Sequence, residues 1–340
     1  MALDASAGDE HGSAGSALTQ LLKKPSQEQI VLLLVLALLI VFSFSLPGFS
    51  TVTNLLNLVR SISILGILGL GMGLIVISRG IDLSMISIMA AAWSIPLTQI
   101  EAGLSLGSAI LLSIFIAVLI GAVNGLIIAF VEAPPLFVTL AASFVIYGLA
   151  FWIAPAWVVY APKNAPALLY PGQGRLLDIP MPIIVFLIAA GAIHLFLSKT
   201  SIGRFVYAQG DNPEAARLAG ISLRPLIVLE YVIVALLAWL AGLVWIGTTG
   251  SMQMSITQGT MVFDVILVVV LGGISLIGGR GSVLSVVVGC ALIGTLLNAF
   301  TIMDVNSEVQ NIIRGVVLLA AILLDNWLHP RDEETARQGD

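Results

Sequence analysis

Asp82, Asn124, Thr139, Asp264 and Asn298 are polar side chains set in or beside apolar stretches, and Arg314 is a cation inside one. In a nonpolar medium such groups pair, hold helices together or line a solute path. They do not make a catalytic constellation. The single cysteine, Cys290, lies in an apolar run, which excludes a disulfide framework and a thiolate metal cluster. The three histidines, His11, His194 and His329, are scattered, so no metal site and no bound cofactor is expected. A nucleotide P-loop needs Gly-Lys-Ser/Thr after four spacer residues, and Gly279-Arg280-Gly281-Ser282 does not supply it. No such motif appears anywhere in the chain.

The best organised polar stretch is Gly210–Ile221, which reads as a short helix. Asn212 can cap free N–H groups, and Pro213 suits the first helical position. Glu214 favours the positive end, Glu214 and Arg217 share a face, and Gly220 fits a left-handed stop. A helix this short needs support from the rest of the molecule or from a partner.

The scaffold carrying these residues is overwhelmingly apolar. Of 340 residues, 59% are hydrophobic and 10% charged, and the mean hydropathy is +1.08. Soluble domains are about a quarter charged, so this chain cannot cover a soluble globule of its size. The expected fold is an all-α polytopic membrane protein. Apolar runs predict about ten transmembrane helices, at 29–46, 61–78, 84–100, 106–131, 135–154, 181–198, 225–247, 262–278, 282–300 and 309–328. The amphipathic stretch Ser50–Arg60 reads as a separate half-helix at the interface. Residues 29–154 and 181–328 each hold five spans and an arginine-bearing glycine turn (Ser78–Ser84; Gly278–Ser282), which suggests a five-plus-five repeat.

Orientation follows from where lysine and arginine lie, so the net charge of -5 says little. With the N-terminus inside, ten of the 14 face the cytoplasm: Lys23, Lys24, Arg79, Lys199, Arg204, Arg217, Arg224, Arg280, Arg331 and Arg337. Arg60, Lys163 and Arg175 face outward. Residues 1–28, rich in Gly, Ser and Ala and without a basic n-region, read as a disordered cytoplasmic tail rather than a targeting peptide. Residues 29–328 form the transmembrane domain, with a cytoplasmic loop at 199–224 and an extracytoplasmic loop at 155–180. Residues 329–340 are a second cytoplasmic tail.

The individual polar residues admit more than one role. Asp82 is either a gate or a buried partner of Arg79, or else a water-accessible helix cap. Asn124 and Thr139 either glue helices or face the path. Asp264, at the outer mouth of its span, could greet a solute or cap the helix. Arg314 calls for an ion pair, with Glu308 and Asp304 nearest, and His194 for a capping or helix-contact role.

Residues Asn212–Ile221 closely resemble the cytoplasmic coupling loop of ribose-type permeases in the branched-chain amino acid and sugar ABC permease superfamily. Gly73–Ser84 (GLIVISRGIDLS) carries the Gly-Ile-Asp-Leu-Ser element of the sugar branch. Gly121–Gly125 (GAVNG), Pro135–Gly148, Phe263–Gly281 (FDVILVVVLGGISLIGGRG), Asn298 and Val305–Asp325 extend the resemblance over nearly the whole chain beyond its N-terminal tail. The sequence departs from the pattern at Leu136, Phe137 and Ala141, where Phe, Ile and Gly are usual.

The resemblance implies the permease subunit of a type II-like ABC importer in the bacterial cytoplasmic membrane, moving a monosaccharide-like solute and not itself an enzyme. Its partners would be a cytoplasmic ATP-binding subunit, a second permease subunit, an extracytoplasmic solute-binding protein and the lipid bilayer, with no nucleic acid. Asn212, Pro213, Glu214, Ala215, Ala216, Arg217 and Gly220 would couple to the ATPase. Asp82, Asn124, Thr139, Asp264 and Asn298 are the candidates for the solute path or gate. Branched-chain amino acids or a furanosyl signalling molecule are alternative solutes. A gradient-driven transporter is another alternative, and it would need an ionisable group near the membrane midplane.

Overall fold

The computed structural model describes residues 27–163 and 165–328, so both predicted tails lie almost wholly outside the described residues. The chain is a helical bundle. In order it forms α1 (Gln27–Ser45), α2 (Val52–Ile77), α3 (Met85–Glu101), α4 (Leu106–Leu126, prolonged by a π-helical turn Ile127–Val131) and α5 (Pro135–Ile153). Then follow α6 (Met181–Lys199), α7 (Ser201–Asp211), α8 (Pro213–Leu218), α9 (Leu223–Thr249), α10 (Met261–Gly272), α11 (Val283–Ile302) and α12 (Ser307–Leu328). Seven of these, α1, α2, α4, α5, α6, α9 and α11, are long and apolar enough to cross a membrane. Helices serve because each satisfies its own backbone groups where no water is available.

The α7–α8 pair marks what is called here the near end of the bundle. At the far end, β1 (Val158–Tyr160) pairs antiparallel with β2 (Ser251–Gln253), and a two-residue ladder joins Arg175–Leu176 to Ile179–Pro180. The predicted 155–180 loop is thus partly structured.

Helix α2 is the hub, with every residue from Ser63 to Ile77 buried. It packs on α9, α11, α6 and α10. Gly121 and Gly125, one turn apart on α4, let that helix meet the α9 backbone directly: a β-carbon on either would overlap Tyr231 or Val228. The paired indoles of Trp93 and Trp239 stack at 5.6 Å in the core. Both are satisfied, Trp93 donating to the Trp239 carbonyl and Trp239 to the Ser113 hydroxyl.

Two local expectations are corrected. Ser50–Arg60 is not a separate half-helix: Thr51 caps Asn54, nothing after it interrupts the hydrogen-bond ladder, and α2 runs unbroken from Val52. The predicted span 262–278 stops at Gly272, because Gly273 takes a left-handed φ of 102°.

At the far end, Asn54 and Asn298 exchange amide hydrogen bonds of 2.9 and 2.8 Å, fastening α2 to α11. A double-mutant cycle with Asn54→Ala and Asn298→Ala is expected to show a coupling of about 1 kcal/mol in detergent unfolding. Strict additivity of the two substitutions would remove this tie from the account.

Candidate functional site

Between α2 and α3 the chain breaks out of helical geometry at Ser78–Ser84, near the near end of the bundle. Arg79 holds a left-handed φ of 69°, which costs energy in a residue with a β-carbon. Its guanidinium spends two donors on carbonyls at the end of α7. Nε donates to Gly210 O at 2.7 Å, and Nη2 donates to Asp211 O. Beside this fork, the Gly279 amide donates to the Ile77 carbonyl at 2.8 Å. Gly210 sits against both: a β-carbon there would overlap the Ile77 oxygen and the Gly279 nitrogen. Tyr207, on the same helix, donates to Gly281 O at 2.9 Å, and burial raises its phenol above the usual range. Thus α7, the end of α2 and the loop 273–281 meet in one joint.

Asp82, Asn124 and Thr139 gather around the same break. Asp82 Oδ1 accepts from the Ser84 amide at 2.8 Å and from its hydroxyl at 2.6 Å. The Ser84 hydroxyl accepts from Asn124 at 2.9 Å. The Thr139 hydroxyl accepts from the Leu83 amide at 3.1 Å and lies 2.9 Å from Pro135 O. All three are buried, so they pin the 78–84 break to α4 and α5. The proposed Asp82–Arg79 pair does not form, because Arg79 reaches out to α7 instead. Asp82 binds the start of α3, as a cap would, yet it is buried rather than open to water.

Asp264 and Asn298 lie apart from this cluster and from one another. Asp264, buried in α10, faces Arg314 of α12 across 3.1 Å. The contact is an ion pair rather than an aligned hydrogen bond. Arg314 also donates to the Thr260 hydroxyl at 2.7 Å and to Gln310 at 3.1 Å. The expected partners Glu308 and Asp304 are replaced by Asp264, which the fold delivers from another helix.

Helix α8 is built as its residues foretold. Asn212 accepts from the Ala215 amide at 3.0 Å, Glu214 pairs with Arg217 at 3.3 Å, and Gly220 adopts a φ of 83°. The ion pair is solvent-exposed and contributes little. Leu218, 89% exposed, projects from the end of this helix.

Glu230 escaped the sequence reading. It is 1% exposed, on α9 beside Gln209 of α7. A signal existed: Glu230 is the one charged residue in the run Pro225–Thr249.

A cavity of about 590 Å³ opens between α4 and α5, lined by Asn124 and otherwise by apolar side chains including Val123, Phe137, Ala141 and Leu149. Two of the three positions where the sequence departs from the family pattern line it.

Comparison with known proteins fixes the family. Residues 54–322 match the model of the branched-chain amino acid transport system permease component. The ribose import permease protein RbsC of Escherichia coli K12 is 32% identical over 301 residues, covering 88% of this chain and 94% of its own. That of Bacillus subtilis 168 is 34% identical, covering 85% and 89%. The fructose import permease protein FrcC of Rhizobium meliloti is 30% identical, covering 89% and 86%. No solved structure matches the chain. With four-fifths of its length inside one family model and relatives aligned nearly end to end, the chain belongs to the permease family of branched-chain amino acid and sugar ABC transporters.

Proposed function

We propose that this chain is the membrane subunit of an ATP-driven importer for a monosaccharide-like solute in the bacterial inner membrane. One observation carries the coupling part of this reading. Helix α8 stands out from the near end with Leu218 free, while its root is locked to the end of α2 by Arg79 and to the 273–281 loop by Tyr207. A push on α8 would thus reach three elements at once. The sugar part is supported by the named relatives, which import ribose and fructose.

In this reading the near end is cytoplasmic, as Arg79, Lys199, Arg204, Arg217, Arg224 and Arg280 there suggest. Asn212–Arg217 and Gly220 dock on a separate ATP-binding subunit. A second permease subunit completes the path, and a solute-binding protein delivers to the far end, where Trp157 and Tyr160 are exposed. The shorter helices α3 and α10, together with α12, join the seven longer ones to make ten spans in a five-plus-five arrangement. Asp82, Asn124 and Thr139 hold the gate segment 78–84, whereas Asp264 and Asn298 tie helices. The chain works without a cofactor of its own.

Glu214→Trp and Gly220→Val are expected to lower uptake more than tenfold in reconstituted vesicles while the chain still inserts. Gly220 suffers because its left-handed backbone disfavours a β-branched residue. Uptake should require ATP and the second polypeptide. Uptake by this chain alone, driven by a proton or sodium gradient, would sink the reading. Calorimetry on the solute-binding protein that delivers to it would name the solute.

A further inference from the structure

We propose that Asp82, Gln209, Glu230 and Tyr231 enclose a site for one compact monovalent cation, a proton or an alkali-metal ion. The site lies at the root of the α7–α8 element. All four side chains are at least nine-tenths buried. Each has an oxygen without a hydrogen-bond partner: Asp82 Oδ2, Gln209 Oε1, Glu230 Oε1 and the Tyr231 hydroxyl.

The four converge on the 78–82 segment. Gln209 Nε2 lies 3.4 Å from Ser78 O and 3.5 Å from Glu230 Oε2. A β-carbon on Gly80 would stand 3.2 Å from the Tyr231 hydroxyl, two residues before Asp82. That hydroxyl is within electrostatic range of both carboxylates.

Charge balance supplies the argument. Removing a carboxylate from water costs several kcal/mol unless it is compensated, and an uncompensated buried acid takes up a proton or a cation instead. Asp82 is partly compensated, since Oδ1 accepts two hydrogen bonds from Ser84. Glu230 has a long contact from Gln209 and a hydrogen bond with the Ser78 hydroxyl, both from neutral groups. Among the described residues, no Lys, Arg or His lies within ion-pair distance of either acid.

The neighbouring groups do not fill this role. Arg79 is exposed and commits two donors to Gly210 O and Asp211 O. Tyr207 donates away, to Gly281 O, and the Asp211 side chain is exposed. One shared cation cancels one of the two carboxylate charges, the Ser84 hydrogen bonds help to hold the other on Asp82, and oxygens are the ligands the cation would meet.

The test needs neither ATP nor solute, so it stands or falls apart from the importer reading. The full chain in lipid nanodiscs is examined by infrared spectroscopy at neutral pH and by thermal unfolding in sodium, potassium or choline salts. If the ion is a proton, a carboxylic-acid C=O band is present and is lost in Glu230→Gln or Asp82→Asn. If it is an alkali ion, that band is absent, and sodium or potassium raises the wild-type Tm relative to choline, a shift both variants lack. Two results overturn the proposal: a band unchanged in both variants, or ionised carboxylates with a Tm indifferent to alkali ions. Should a variant fail to insert, the wild-type spectrum and salt dependence decide.

Discussion

Gly210→Val is expected to abolish solute uptake by the assembled transporter, by more than tenfold, while the chain still inserts into the membrane. The reason is geometric. Any β-carbon at Gly210 lands on the Ile77 carbonyl and the Gly279 amide, two backbone groups already bonded to each other at 2.8 Å. Backbone cannot swing aside as a flexible side chain does, so α7 must lift from the joint. Overpacking of this kind costs about 1–3 kcal/mol, small beside the insertion energy of the apolar helices. The bundle survives and the connection fails.

Lifting α7 also draws the Gly210 and Asp211 carbonyls away from Arg79. Arg79→Lys gives an independent reading of the same joint, because an ammonium on a flexible stem cannot reproduce a planar fork on two acceptors. Its uptake should fall between wild type and Gly210→Val. A cysteine pair bridging α7 and the 273–281 loop would report the displacement directly, and the native Cys290 is buried and does not compete. Normal uptake with an unmoved α7 in Gly210→Val would exclude the joint as the transmitting element.

The parts of this site that the sequence made legible are the local ones. A cap, a first-turn proline, an i,i+3 ion pair and a left-handed glycine lie within nine residues of Asn212, and their geometry depends on little else. Seven of the expected spans were equally legible, since an apolar run of span length has few alternatives in a bilayer. What stayed hidden depends on packing between distant segments. Arg79 has Asp82 three residues away, yet it bonds residues 210 and 211 because α7 folds back over the end of α2. Arg314 has Glu308 nearby on its own helix, and its partner comes from position 264. Helix α2 continues through Ser50–Arg60 where amphipathicity suggested a break, with Thr51 capping its start and Asn54 fastened to Asn298 of α11. Glu230 was readable as an anomaly, but its meaning required Gln209 and Tyr231 beside it.

Arg314→Leu is expected to destabilise the folded chain by about 3–5 kcal/mol, the usual cost of leaving one member of a buried ion pair alone. Asp264 is 8% exposed and would be left in a nonpolar setting with no cation beside it, holding an unpaired charge or taking up a proton at a cost. Helix α12 is especially dependent on this contact. Among the described residues α10 is the one element it packs against extensively, and its other face carries exposed Ile312, Val316 and Leu319. The effect should therefore be local first: in detergent, α12 detaches and becomes open to protease before the rest of the bundle unfolds. Asp264→Leu combined with Arg314→Met separates charge from packing. If the penalty is the unpaired carboxylate, the double variant recovers most of the stability lost in Arg314→Leu, since apolar replacement of a buried pair is often neutral or better. If the double variant is as unstable as the single one, the contribution is the Arg314 hydrogen bonds to Thr260 and Gln310, which persist only with arginine. Proteolysis at α12, read alongside the unfolding curve, distinguishes the two.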